Sequence, residues 1–365
     1  MGIHIALLAG ICVLGGAIYY DGVSDKKNKT FLSLSFALIV LVQGLRRYDV
    51  GVDTITYVKG FYNIIGLHDS WEENSWEILY VLLNKCVGFI TQQYTLLLII
   101  VSGIIVGGIF FFIYQNIDNK TSAFWPVFLF IALNHYLTSM VSLRQYCALA
   151  IGINIYEVLF SKKRKHTHKY IKSIVLLIIA MQFHTTAFCL SFLILLSLVK
   201  RVTKTNICVI FAADLILLVA FDSILNIMFQ MFPKYQFYQD SNYMKFQSSE
   251  FATVDLVLMI LKLSICAVAF TLNQKNDSTQ KLYRLVAVSF VAIGISFTAT
   301  QVQLMWRFAY YFDVFLILLI PEFIKHLRRE KNIAYSSVLL GGWAYYVYLL
   351  VTNKAYCVPY YFFWQ

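Results

Sequence analysis

Apolar runs recur along the whole chain, each about as long as a bilayer crossing and each closed by a short polar or basic stretch. Roughly 17–25 apolar residues in an α-helix cross the hydrocarbon core of a membrane. On that measure the pattern predicts spans at 3–20, 30–45, 94–114, 123–139, 144–160, 170–184, 185–199, 206–221, 253–272, 282–300, 306–324 and 334–351. The expected fold class is all-α, a polytopic membrane protein with about twelve transmembrane helices. The run 170–199 divides into two short spans at the polar turn His184-Thr185-Thr186. The helical pattern from Glu77 to Ile90 is only about 21 Å long at 1.5 Å per residue, and it reads as one re-entrant or interfacial helix. The first run, Ile3 to Tyr20, has no basic stretch before it and no small-residue cleavage site. It reads as a retained helix rather than a signal peptide. No repeat and no appended soluble segment breaks the pattern, so residues 1–365 are expected to form a single integral membrane domain.

Charge sets the orientation. Lys and Arg gather in the stretches 25–29, 161–169, 200–204, 274–281 and 325–331, and cytoplasmic loops carry that excess. Span parity then places both termini outside, together with two long outer loops at 46–76 and 222–252. The second holds a segment at 233–250 rich in Tyr, Phe and Gln. Aromatic faces beside amides suit sugar rings, and they suit an interfacial belt equally well.

Composition agrees. The chain is 59% hydrophobic and 13% charged, against about 25% charged in soluble domains. Too few polar residues exist to coat a soluble surface. The net charge of +11 follows from the basic loops, so no nucleic-acid partner is expected. Seven cysteines lie mostly inside apolar runs with no CxxC pair, and read as small buried hydrophobes.

Charged groups at membrane depth are costly and mark function or pairing. The expected topology gathers Arg46, Arg47, Asp53, Glu77, Arg144, Gln145, His184 and Arg307 at the outer face. Arginine suits phosphate, because its planar fork donates two hydrogen bonds and stays charged. Such a set could cradle a lipid-linked phosphate or diphosphate. Plainer readings stand beside it. Arg46 and Arg47 could snorkel from a helix end. Asp53-Thr54 could cap a short helix through Phe61, with Gly51 permitting a turn. His184 could be a satisfied polar contact. No GxxxxGK[ST], HExxH or GxSxG occurs, and His166 and His168 sit in a basic loop. Neither a metal nor a cofactor is expected.

The string Arg47-Tyr48-Asp49-Val50-Gly51-Val52-Asp53-Thr54, followed by Tyr57, resembles the RY-x-x-G-x-D-x-x-x-Y signature of the EpsG family of Wzy-type polysaccharide polymerases. Further elements fall in the family's order. Glu77 opens a Glu-x-x-Tyr-x-x-Leu helix, and Leu143-Arg144-Gln145 precedes an Ala-containing span. Phe183-His184-Thr185-Thr186-Ala187 and Arg307-Phe308-x-Tyr310-Tyr311-Phe312 follow, with Pro359-Tyr360 last. One departure is Ile78, where the family often carries a proline after the glutamate.

The resemblance implies an enzyme of the bacterial cytoplasmic membrane, joining repeat units of an exopolysaccharide or capsule outside it. Donor and acceptor would both ride on undecaprenyl diphosphate in the membrane lipid, with chain-length regulator and flippase proteins as partners. The reaction needs cations for the leaving diphosphate, and Arg144 and Arg307 are the candidates, with Arg47 third. It needs a base for the acceptor hydroxyl, with His184 first and Glu77 second. Arg47, Asp53, Tyr57, Gln145, Tyr310 and Tyr311 are candidate substrate contacts, and the transfer is expected to be metal-independent. Two other classes remain open. A flippase or exporter of lipid-linked oligosaccharide should line a central cavity with cations. A membrane O-acyltransferase should open its histidine to a cytosolic donor.

The orientation is testable. In a background stripped of native cysteines, Ser241→Cys should react with an impermeant thiol reagent in intact cells, and Lys165→Cys should not. The reverse pattern overturns the topology.

Overall fold

In the computed structural model the described residues are 1–66, 76–160, 168–221, 253–271, 277–299, 305–327 and 329–365, with a few between 223 and 230. The basic stretch at 161–167, most of the expected outer loop 222–252 and residues 67–75 of the other lie outside them. Among the described residues every regular element is a helix, joined by turns and loops, and an isolated antiparallel bridge pairs Arg46 with Phe362.

The chain forms two compact units. The first comprises Met1–Ser197 with Glu330–Gln365, the second Leu198–Arg329. The first contains α1 (Gly2–Tyr19), α2 (Asp25–Gly44), α3 (Thr54–Ile64), α4 (Ile78–Ile90), α5 (Tyr94–Asn116), α6 (Phe124–Ala132) and α7 (His135–Val141). It continues through α8 (Leu143–Gly152), α9 (Asn154–Phe160), α10 (Lys169–Met181), a 3-10 turn (Thr185–Leu190) and α11 (Ser191–Leu198). The second unit holds α12 (Lys204–Val219), α13 (Thr253–Thr271), α14 (Asp277–Thr298), α15 (Trp306–Asp313) and α16 (Leu316–His326). Last comes α17 (Lys331–Thr352), which returns to the first unit.

Each expected span overlaps a helix or a run of consecutive helices, yet the described residues do not confirm the count of about twelve. Among the described residues four helices are long and apolar enough to cross a membrane: α1, α5, the 279–298 part of α14, and α17. A fifth is added if the pair α6–α7, bent by 56°, is one span. The others fall short for local reasons. Chains break at Ser142 and at His184, and α2 opens with three lysines in its first turns. The α6–α7 bend sits at Asn134, whose φ of 72° lies in the left-handed region that asparagine tolerates. The protein is all-helical and multi-pass.

Within the first unit the helices alternate end for end. At one end Asn28, in the first turn of α2, accepts from Tyr19 Oη at 2.7 Å and from the Ala123 amide at 3.0 Å, just before α6. Tyr114, near the end of α5, donates to Asp25 at 3.1 Å. At the opposite end, past the C-terminus of α2, Arg46 and Thr54 reach the Met140 carbonyl of α7. There Tyr48 also meets Tyr94, the first residue of α5, at 6.4 Å between rings. The segment leading into α4 and the start of α5 both lie at this end, so α4 does not carry the chain across the unit. α5 is the central helix, apolar all round and buried along much of its length. Gly108 lets it approach α8: a Cβ there would stand 2.6 Å from the Ala150 carbonyl oxygen.

The loop 45–52 is held by the C-terminal tail. Arg47 N–H donates to Tyr361 O at 2.9 Å, Phe363 N–H to Leu45 O at 2.9 Å, and Gly51 N–H to Tyr356 O at 2.8 Å. Tyr360 Oη reaches Val42 O at 2.6 Å. Gly51 turns this loop with φ at 96°. A Cβ there would sit 2.8 Å from Thr54 Oγ1 and 3.1 Å from Val141 Cγ1. The turn expected of Gly51 is present, and two constraints exclude a side chain.

Gly51→Ala should therefore cost about 1–3 kcal/mol, the range for a non-glycine residue held at positive φ. Gly16→Ala, in α1 with nothing within 4 Å, should be neutral or stabilising. Thermal melts in detergent compare them, and equal melting temperatures would remove the argument for Gly51.

Candidate functional site

Glu77 stands immediately before α4, at its N-cap position. Its carboxylate collects donors from two distant segments. Oε2 accepts from Arg144 Nη1 at 2.7 Å. Oε1 faces His184 Nδ1 at 3.1 Å and accepts from the Thr185 amide, also at 3.1 Å. Three candidates placed far apart in the chain thus meet at one carboxylate. Their side chains are only 12%, 21% and 14% exposed for Glu77, Arg144 and His184.

Local structure explains the convergence. Arg144 lies in the first turn of α8, after the break at Ser142. His184 is extended, with φ −161° and ψ 120°, and begins the 3-10 turn. The first free amide of that turn points at Glu77, as helix N-termini do toward anions. The two segments are also tied by backbone, since Leu79 N–H donates to Gln182 O at 3.1 Å. Ile78, which replaces the family's common proline, is the first residue of α4. Helices accept proline at that position, so the departure leaves the carboxylate in place.

Electrostatics follow from the donors. Burial works against ionising Glu77. The hydrogen bond with His184 and the charges of Arg144 and His184 outweigh it, and the carboxyl is pulled down to about 2. Such a carboxylate is a poor proton acceptor at neutral pH and a good orienting group. Arg144 keeps capacity beyond this pair: its Nε is buried and makes no hydrogen bond among the described residues.

The other candidates have separate surroundings. Arg47 holds Asp49 through a two-toothed pair at 2.7 and 2.8 Å, with its guanidinium 4.1 Å from the centre of the Tyr361 ring. Arg46 is wholly buried. It donates to the Met140 carbonyl at 2.8 Å and to the Gln43 carbonyl, so it is part of the frame. Asp53 occupies the N-cap position of α3 without making the capping hydrogen bond. Gln145 is buried beside Arg144. Tyr57 is 8% exposed and packs against Trp76 and Tyr80, with ring centres 5.7 and 6.0 Å away. Arg307 and Tyr310 lie on α15 in the second unit, with Arg307 exposed and Tyr311 fully buried there. No group of three or more His, Cys, Asp or Glu that could hold a metal is found among the described residues.

Sequence reading missed Trp76, Gly60 and the Thr185 amide. A tryptophan directly before a helix-opening glutamate was a usable signal. An amide donor leaves none in side-chain identities.

The arrangement of arginine, glutamate and histidine elements extends over a long match. Residues 29–362 match the EpsG family. The chain belongs to the EpsG family. No curated protein and no solved structure matches it. EpsG membership and the apolar helices make it a membrane protein with a polysaccharide-polymerase type of role, in a family associated with glycosyl-transfer polymerisation.

Glu77→Gln should destabilise the protein by about 3 kcal/mol at neutral pH, the cost of stripping one partner from a buried pair. The folded carboxyl sits at about 2, below its usual 4.5. Its contribution is therefore complete above 4.5 and lost as pH falls toward 2. Melting curves of the variant and the native protein should converge over that window, and a constant gap would argue against an ionic role.

Proposed function

We propose that this EpsG-family protein polymerises a polysaccharide from undecaprenyl-diphosphate-linked repeat units at the outer side of a bacterial cytoplasmic membrane. The observation that carries this reading is the single Glu77 carboxylate shared by Arg144 and His184. With Nδ1 protonated and donating to Glu77, the His184 imidazole has its lone pair on Nε2. That is the division of labour by which a carboxylate fixes the tautomer of a general base.

In this mechanism Nε2 takes the proton of an acceptor sugar hydroxyl. The hydroxyl oxygen bonds to the anomeric carbon of the donor, and the bond from that carbon to the diphosphate oxygen breaks. Undecaprenyl diphosphate departs with the electron pair. Arg144, with its side chain 21% exposed, supplies positive charge where that negative charge develops. Glu77 acts by orientation rather than as the base, because its carboxyl lies far below neutral pH.

The test is single-turnover transfer between native lipid-linked repeat units in reconstituted protein. His184→Ala should slow transfer by roughly a factor of a hundred to ten thousand, with the donor still bound. Arg144→Ala should lose about 3–4 kcal/mol of transition-state stabilisation, and Arg144→Lys should recover only part. A normal rate in His184→Gln would remove the histidine as base.

A further inference from the structure

Trp76 lies one residue before Glu77 and belongs to none of the groups assigned above. Its indole lies under the Arg144 guanidinium, with Cζ 5.2 Å from the ring centroid. Tyr80 meets it edge-on at 5.4 Å and Tyr57 at a tilt at 5.7 Å. α3 opens a notch for it at Gly60: a Cβ on that residue would overlap the indole's six-membered ring. The indole is thus fixed by two aromatic rings and a missing side chain, and what rests on it is the arginine of the site.

An arginine held by one carboxylate oxygen alone can swing about that contact. A second support on the guanidinium face removes the freedom, and an aromatic face attracts the cation as well. We propose that Trp76 is a positioning residue, seated in the Gly60 notch, that holds the Arg144 guanidinium against Glu77 so that its charge stays fixed in place for a diphosphate. The proposal rests on the role given to Arg144 above. It also gives the signature segment a job at a distance. Tyr57 braces Trp76 from α3, and the turn at Gly51 places α3. The segment acts on the charged centre through packing.

The experiment uses the full-length protein in lipid nanodiscs and undecaprenyl diphosphate as the probe, with melting temperature recorded throughout. Trp76→Leu and Gly60→Ala should each weaken binding by roughly three- to thirty-fold, the worth of a partly desolvated cation–π contact. Trp76→Phe, which keeps an aromatic face, should recover most of the loss. In an Arg144→Gln background neither change should weaken binding further, because residues that act through one group are not additive. Normal binding by Arg144→Gln alone would sink the role of Arg144 itself. If Arg144→Gln does weaken binding, two results overturn the positioning role alone. One is native affinity in Trp76→Leu; the other is the same loss in both backgrounds, as a direct sugar contact or general loosening would give.

Discussion

A carboxylate inside a mostly apolar protein stays ionised only if donors replace its water. Glu77 obtains them from Arg144, His184 and the Thr185 amide, on segments 67 and 107 or 108 residues away along the chain. That demand shapes the surrounding structure. It fixes the start of α4, the break before α8 and the extended residue between α10 and the 3-10 turn. Helix ends are where backbone amides are left without intrahelical partners. The site is accordingly assembled from helix ends. A histidine and an arginine held by one carboxylate are positioned before any substrate arrives, and preorganisation of that kind makes electrostatic assistance effective.

Three arginines show how the same side chain takes different roles. Arg46 turns inward and is spent on the Gln43 and Met140 carbonyls. Arg47, its neighbour, turns to Asp49 and the ring of Tyr361. Arg144 lies between an acid and an aromatic face, and its acid is also held by His184. Surroundings separate the roles: Arg46 is wholly buried, whereas Arg144 keeps 21% of its side chain exposed beside Glu77. The loop that begins at these two arginines is shaped by the tail, whose backbone supplies partners at Tyr356 and Tyr361.

Much was legible in the sequence because lipid imposes a one-dimensional rule. Apolar length, basic loops and breaker residues gave helix positions that overlap the observed ones throughout, and the signature elements gave the family. The count of about twelve crossings was less secure. Hydropathy along a line does not register a bend such as that at Asn134.

The sequence by itself determined that this is an all-helical membrane protein of the EpsG family, and it supplied the residue types for a charged centre. Those properties are local, carried by composition, periodicity and short ordered motifs. Only the tertiary structure decided that Glu77, Arg144 and His184 share one carboxylate, that Arg46 belongs to the frame, and that Tyr57 lies beneath Trp76. Pairings between residues so far apart depend on how helix ends meet, and a missing side chain at Gly60 matters only once α3 stands against the indole.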